Sequence, residues 1–116
     1  FIEQASHSVE RAFPGTRAVA FGHLGDGNVH FHVRAPHEAV PDDWYGAEGA
    51  AITAHVYDRV TEFGGSISAE HGIGQAKRDE LARLTPPARL NALMAIKRAL
   101  DPQNIMNPGK ILSLHD

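Results

Sequence analysis

An Asp-Gly dipeptide at positions 26 and 27, flanked by alternating apolar and polar residues, constrains the fold more than any other feature of this sequence. Such a dipeptide is the strongest short-range signal for a β-hairpin. If Asp26 and Gly27 are the two loop residues, His23 lies directly opposite His30 on one face of the ribbon. Opposed residues of an antiparallel pair have Cβ atoms about 4.5 to 5.5 Å apart, a separation that suits two imidazoles on one metal ion.

The alternation of side chains along a strand divides this ribbon into two faces. The face predicted to belong to the core carries Ala18, Ala20, Gly22, Leu24, Val29, Phe31 and Val33. The face predicted to line a polar cleft carries Val19, Phe21, His23, His30, His32 and Arg34. Solvated histidines on a surface strand are the simpler interpretation of the second face, and the ribbon alone does not exclude it.

A second polar motif, Ser-Ile-Ser-Ala-Glu-His-Gly-Ile-Gly, occupies residues 66–74. Neighbours in a regular strand point to opposite faces, so Glu70 and His71 can serve one site only where the backbone bends. Gly72 and Gly74 permit that bend, although an ordinary glycine-rich turn would have the same sequence. Together with the hairpin, the motif gives two imidazoles and one carboxylate, a set suited to Zn, Mn or Fe with open positions for substrate.

The motifs at 22–30 and 68–74, with Lys77 and the Asn-Pro-Gly-Lys at 107–110, also carry a family resemblance. In that order they resemble the C-terminal domain of FAD-linked oxidoreductases of the vanillyl-alcohol oxidase type. That group includes D-lactate dehydrogenases, the D subunit of glycolate oxidase and D-2-hydroxyglutarate dehydrogenase. The resemblance extends over roughly residues 17–112, and two separate motifs make it more specific than a lone glycine pattern.

The resemblance implies a role for each matching residue. The implied ligands of a divalent metal, with Zn as the first expectation and Mn or Fe as alternatives, are His23, His30 and Glu70. His71 would be the catalytic base that takes the proton of the substrate hydroxyl. His32 and Asn28 would contact the substrate with His71, although 2-hydroxyglutarate enzymes have an asparagine where His32 stands. Asn107, or Lys110 in the same motif, would contact the FAD cofactor or the domain that binds it.

The implied reaction is the oxidation of a D-2-hydroxy acid, of lactate, glycolate or 2-hydroxyglutarate type, to the 2-oxo acid. A divalent cation on the substrate oxygens lowers the pKa of the hydroxyl, and a neutral imidazole accepts the proton. The hydride passes to the flavin. Two other functions fit the residues: a metal hydrolase with His71 as base, and an interaction module whose histidines bind no metal.

The size of the chain predicts one domain without a flavin site of its own. A chain of 116 residues suits a single domain, and no Gly-x-Gly-x-x-Gly opens a helix after a strand. We therefore expect residues 1–116 to be the metal- and substrate-binding domain, inactive alone, of a protein whose FAD-binding domain lies N-terminal to them. The partners expected are that domain, a small 2-hydroxy acid and an electron acceptor that the sequence does not identify.

Composition excludes several other classes. With 11 basic and 14 acidic residues the formal charge is −3, and no basic cluster predicts binding to nucleic acid. The chain has no cysteine, so it forms no disulfide. No apolar run has the length of a transmembrane helix. A cytoplasmic enzyme is expected, with attachment to the periphery of the inner membrane as the alternative.

The order of elements predicts an α+β fold. Apolar spacing and the Gly and Pro positions indicate a helix at 2–12, a hairpin at 17–34, a helix at 46–63, a strand at 66–69, a helix at 75–84 and a helix at 86–100 capped by Thr85. This order matches a ferredoxin-like antiparallel sheet with helices on one face and its first strand missing. An exposed strand edge recruits other chains, so a homodimer of the fragment is expected, either through that edge or through the surface that would face the FAD-binding domain.

Overall fold

The computed structural model describes residues 1–113. Its elements are helix α1 (Ile2–Ala12), strand β1 (Arg17–Phe21), a 3₁₀ turn (Leu24–Asp26), strand β2 (His30–Arg34) and helices α2 (Pro41–Glu62), α3 (Arg78–Leu84) and α4 (Pro87–Leu100). Within these residues an antiparallel sheet of two strands and four helices make the predicted α+β fold. The chain divides into two compact units, Phe1–Ala69 and Glu70–Asp116, which we call the hairpin unit and the C-terminal unit.

Helix α1 forms where the apolar spacing predicted it and supplies the centre of the hairpin unit's core. Glu3 lies in its first turn and Arg11 in its last, each with the sign that complements the helix dipole. Ala5 and Val9, one helical turn apart, are fully buried. The helix packs against β1 and α2, so the apolar stripe of α1 holds this unit together.

Strands β1 and β2 pair in a register that differs from the predicted one by two residues. Phe21 lies opposite His30, and Arg17 lies opposite Arg34. The predicted pairing of His23 with His30 is therefore wrong, because His23 lies beyond the end of β1. The hairpin connection comprises residues 22–29 rather than the Asp-Gly dipeptide alone.

Local hydrogen bonds explain why the connection is longer than two residues. The carbonyl of His23 accepts the N–H groups of Asp26, at 3.0 Å, and Asn28, at 3.2 Å. Gly27 then closes the 3₁₀ turn in the left-handed conformation, with φ +71°. The connection thus satisfies the backbone N–H groups of residues 26–28 internally, without hydrogen bonds of the ladder between the strands.

The two faces of the ribbon remain as predicted, because a shift of two residues leaves the alternation unchanged. The half-buried face carries Ala18, Ala20, Phe31 and Val33. The opposite and mostly exposed face, which we call the imidazole face, carries Arg17, Val19, Phe21, His30, His32 and Arg34. The prediction that Leu24 belongs to the core is wrong: it lies in the 3₁₀ turn and is 59% exposed.

Helix α2 begins at Pro41, earlier than the predicted residue 46. Proline at the first helical position and the carboxylates of Asp42 and Asp43 in the first turn are start signals that the apolar spacing did not include. Ile52 is buried on α2 and lines a cleft with Phe31 and Val33 of β2. The helix ends at Glu62, just before the predicted Gly-Gly stop.

The predicted strand at 66–69 is wrong, since these residues do not join a sheet. The Ser66 hydroxyl donates to the carbonyl of Ser68 at 3.1 Å and accepts the N–H of Ser68 at 3.2 Å. Serine side chains that bond to nearby backbone compete with a strand ladder. The described part of the sheet therefore consists of β1 and β2 alone.

The C-terminal unit contains two helices in sequence. Helix α3 starts at Arg78 rather than at the predicted residue 75, after a turn over residues 74–77. Helix α4 starts at Pro87 with Pro86 as its N-cap, so the prediction that Thr85 is the cap is wrong by one residue. No helix within residues 1–113 is both long and apolar enough to cross a membrane.

A buried carboxylate at the end of α4 organises the loop that follows it. Asp101 is 5% exposed and accepts the N–H groups of Ile105 and Met106, both at 2.9 Å. The ammonium of Lys97 donates to the same carboxylate and to the carbonyl of Met106. The hydrogen bond from Lys97 lowers the pKa of Asp101, assisted by the two backbone donors and opposed by burial.

Candidate functional site

An aromatic stack orients two of the three histidines singled out in the hairpin. The ring of Phe21 stacks on His30 with centroids 5.3 Å apart and planes 18° apart. The same ring stacks on His32 at 5.2 Å and 8°. Since Phe21 contacts both imidazoles, it restricts their ring planes. The sequence placed Phe21 on this face but assigned it no function; its position opposite two histidines was the available signal.

His32 borders a small cleft between β2 and α2. The cleft has a volume of about 290 Å³, and Trp44 and Tyr45 from the first turns of α2 line it along with Phe31. Tyr45 is 72% exposed, so its phenol is accessible at the mouth of the cleft. The predicted substrate contact His32 therefore has aromatic neighbours that the hairpin motif did not indicate.

His23 and Asn28 occupy the connection between the strands. Both contribute backbone groups to it, because the Asn28 N–H donates to the His23 carbonyl. Gly22 enters this connection with φ +146°, and a Cβ there would lie 2.5 Å from the carbonyl oxygen of Asn28. The turn therefore positions the backbone of His23, whereas strand pairing and stacking on Phe21 position His30.

Glu70 and His71 lie in the C-terminal unit in an irregular and exposed segment. Gly72 and Gly74 follow with φ of +72° and +56°, in the left-handed region. The backbone therefore bends directly after His71, as the glycine spacing predicted. This bend removes the strict alternation that would place the carboxylate and the imidazole on opposite faces of a strand.

The Asn-Pro-Gly-Lys motif contacts the segment that follows this bend. The N–H of Ile111 donates to the carbonyl of Gly74 at 2.8 Å, and the ammonium of Lys110 donates to the amide oxygen of Gln75 at 2.8 Å. Asn107, predicted to contact the cofactor, has φ +48° and lies in the same loop. Within the C-terminal unit, the structure thus brings the Glu-His loop and the Asn-Pro-Gly-Lys loop together.

The predicted metal ligands are divided between the two units, with His23 and His30 in the hairpin unit and Glu70 in the C-terminal unit. Across residues 1–113, no three His, Cys, Asp or Glu side chains stand close enough together to hold a metal ion. The chemistry of the donors, imidazoles at 23 and 30 and a carboxylate at 70, suits Zn, Mn or Fe. The donor types at these three positions therefore fit a divalent metal.

A larger cleft of about 640 Å³ lies elsewhere in the hairpin unit. Phe1, Leu24, Val29 and Phe63 contribute its apolar lining. The ring of Phe1 packs edge-on against Phe63 with centroids 5.6 Å apart. None of the predicted catalytic, substrate-binding or metal-binding residues lines this cleft, although Leu24, Gly27 and Val29 of its lining are neighbours of such residues in the sequence.

A family model described as FAD linked oxidases, C-terminal domain, matches residues 1–111 of this chain. The match covers the hairpin, the Glu-His motif and the Asn-Pro-Gly-Lys motif. These are the same segments that carried the resemblance in the sequence.

Curated proteins with related sequences bear names from one class of enzyme. D-2-hydroxyglutarate dehydrogenase of Stutzerimonas stutzeri is 39% identical over 113 residues, which are 97% of this chain and 24% of that protein. D-lactate dehydrogenase of Anaerostipes hadrus is 40% identical over 95 residues, 82% of this chain and 20% of that protein. Mitochondrial D-2-hydroxyglutarate dehydrogenase of Bos taurus is 41% identical over 97 residues, 84% of this chain and 17% of that protein. The chain spans about a quarter, or less, of the length of these relatives.

Proposed function

This chain belongs to the family of C-terminal domains of FAD-linked oxidases, and on that premise we propose that it is the substrate-binding domain of a flavin-dependent dehydrogenase. The proposed reaction oxidises a D-2-hydroxy acid to the 2-oxo acid. The observation that carries this proposal is the family match along residues 1–111, supported by relatives named for D-2-hydroxyglutarate and D-lactate. The flavin-binding domain proposed as its partner lies outside residues 1–116, and the flavin accepts the hydride when bound.

We infer that His71 is the catalytic base of this reaction. An imidazole is neutral over part of the physiological pH range and can take a proton from a substrate hydroxyl. The left-handed glycines after His71 support this role, because a bent segment can present neighbouring side chains to one ligand. The loop of residues 107–111 bonds to Gly74 and Gln75, which limits the movement of the segment behind His71.

We propose that His32 and Asn28 contact the substrate. The stacking of His32 on Phe21 supports this role, since a substrate contact is more effective on a side chain that is already oriented. His32 also borders the cleft lined by Trp44 and Tyr45. Asn107 is the proposed contact to the flavin, in the loop that bonds to the segment behind His71.

The visible absorbance of the flavin, which is lost when the flavin is reduced, tests directly whether the protein oxidises a D-2-hydroxy acid. The holoenzyme is mixed anaerobically with D-lactate, D-2-hydroxyglutarate or glycolate, and with the L enantiomers of the first two. Bleaching of the flavin by at least one D acid or glycolate is expected, with much slower bleaching by the L acids. A flavin that no 2-hydroxy acid reduces, in a protein that hydrolyses esters or phosphates without flavin, would favour the metal hydrolase instead.

We propose His23, His30 and Glu70 as ligands of a divalent metal in the holoenzyme. The donor types support this proposal, and metal content tests it by elemental analysis of protein purified without an affinity tag. His23→Ala, His30→Ala and Glu70→Gln are each expected to lower bound Zn, Mn or Fe to a small fraction of the wild-type content. His37→Ala, at an exposed histidine outside the motifs, is the control. Wild-type metal content in all three ligand variants would exclude the assignment.

The location of the protein in the cell is a further part of the proposal. Relatives include bacterial proteins and mitochondrial ones, and within residues 1–113 no helix is suited to span a membrane. We propose a cytoplasmic enzyme, with the periphery of the inner membrane as the alternative.

Strand β1 pairs only with β2 in the described sheet, so a homodimer through a free strand edge is also proposed. Light scattering, which measures the molar mass in solution, tests this homodimer.

A further inference from the structure

Two arginines lie directly opposite each other on the imidazole face. Arg17 of β1 pairs with Arg34 of β2 in the strand register, and both residues are exposed. Like charges at directly opposed positions destabilise an antiparallel pair. The arrangement therefore has a cost that a bound anion would offset.

No acidic side chain in the described part of the chain forms an ion pair with either arginine. Glu10, on the neighbouring helix α1, directs one carboxylate oxygen to the backbone N–H of Ala18 at 2.9 Å. That carboxylate is thus engaged by the backbone next to Arg17. With respect to residues 1–113, both guanidinium groups therefore keep donors available to a ligand from solution.

His32 lies on the same face of β2, one strand repeat from Arg34. Alternate residues of a strand are about 6.6 to 6.8 Å apart, so a ligand of a few carbon atoms can contact both side chains. A guanidinium matches the planar geometry of a carboxylate and binds it with two parallel hydrogen bonds. The spacing suits a molecule with one polar end at His32 and an acidic group at the arginines.

We propose that Arg17 and Arg34 form an anion subsite that binds the second acidic group of a D-2-hydroxy diacid. The subsite rests on the proposed function only for the identity of its ligand, because an unreactive dicarboxylate should occupy it as well. It gives the protein a preference for diacids over monoacids of similar length.

Binding to the 116-residue chain tests the subsite without any turnover. Glutarate and butyrate are matched probes that differ by one carboxylate, and calorimetric titration or NMR shifts of the arginine N–H groups report their binding. Glutarate is expected to bind about tenfold more tightly than butyrate, with an affinity that falls as salt is added. Arg34→Gln and Arg17→Gln should remove that difference, while Arg11→Gln, an exposed arginine of α1, should retain it.

Thermal unfolding of the same variants separates binding from structure. Without a dicarboxylate, Arg34→Gln should unfold at the wild-type temperature or above it, because it removes the repulsion with Arg17. A lower melting temperature would indicate that Arg34 has a structural role and would overturn the subsite. Equal binding of glutarate to the wild type and to both glutamine variants would overturn it too.

Kinetics of the holoenzyme distinguish failure of this inference from failure of the proposed function. Arg34→Gln is expected to raise KM for D-2-hydroxyglutarate about tenfold and to leave KM for D-lactate within about twofold. Oxidation of both acids with KM values that Arg34→Gln leaves unchanged would retain the proposed function and exclude the subsite. Absence of oxidation of both acids, with glutarate still bound through Arg17 and Arg34, would exclude the proposed function and retain the subsite.

Discussion

Gly22 illustrates how a single residue without a side chain shapes the candidate site. Its φ of +146° lies where L residues are rarely found, and the Asn28 carbonyl leaves no room for a Cβ. This close approach lets β1 turn into the connection that carries His23 and Asn28. Phe21, the residue before it, stacks on His30 and His32. A change at Gly22 therefore affects both the fold and the residues proposed to bind metal and substrate.

Replacement of Gly22 by alanine should destabilise the protein by about 3 kcal/mol, from left-handed strain plus the clash with the Asn28 carbonyl. Chemical denaturation monitored by circular dichroism measures this loss. Gly25→Ala is the matched control in the same connection, because a Cβ at Gly25 meets no atom within 4 Å. Equal stabilities of the two variants would show that the approach of Asn28 does not constrain residue 22.

At the scale of elements, the sequence predicted the helices, the hairpin and the two faces of the ribbon. Periodicity identifies these features because they depend on which residues are apolar and how they are spaced. The register of the hairpin and the absence of a strand at 66–69 depend instead on local hydrogen bonds of His23 and Ser66. The free energies that separate such local hydrogen bonds from those of a strand ladder are small. A pattern of apolar and polar residues does not show which of the two will form.

The charged carboxylate of Asp101 holds the loop after helix α4 in place. Its carboxylate caps the loop after α4 through the N–H groups of Ile105 and Met106 and pairs with Lys97. This pairing holds the pKa of Asp101 below its usual range. A carboxyl whose pKa is lower in the folded state adds stability above its unfolded pKa, and that stability is lost as pH falls through the folded pKa.

The Asp101→Asn variant should therefore melt at a lower temperature than the wild type at pH 7. The difference should narrow as the pH falls below about 4, where the carboxyl of the unfolded chain takes up a proton while the folded carboxyl, with its lowered pKa, still resists protonation. Thermal unfolding at several pH values measures this difference in melting temperature between Asp101→Asn and the wild type. Asp79→Asn, at an exposed carboxylate paired with Arg78, is the control and should change little at any pH. A difference between Asp101→Asn and wild type that is constant from pH 7 to pH 3 would contradict the role of the charge.

At the scale of the whole molecule, the residues proposed to take part in the chemistry lie in two compact units. The hairpin unit carries the imidazole face and the arginine pair. The C-terminal unit carries Glu70 and His71, followed by a segment at Gly74 and Gln75 that bonds to the loop of residues 107–111. The sequence singled out His23, His30, Glu70 and His71 because each lies in a short motif. It could not identify the stacking of Phe21 or the pairing of Arg17 with Arg34, since both depend on the register between strands.

The proposed reaction depends above all on His71 as the acceptor of the hydroxyl proton of a D-2-hydroxy acid during flavin reduction. Anaerobic stopped-flow reduction of the holoenzyme flavin measures this step in the wild type, in His71→Asn and in the control His37→Asn. His71→Asn is expected to retain its flavin and metal but to reduce the flavin about 10²- to 10⁴-fold more slowly, while the control keeps the wild-type rate. Flavin reduction at the wild-type rate in His71→Asn would contradict this role of His71.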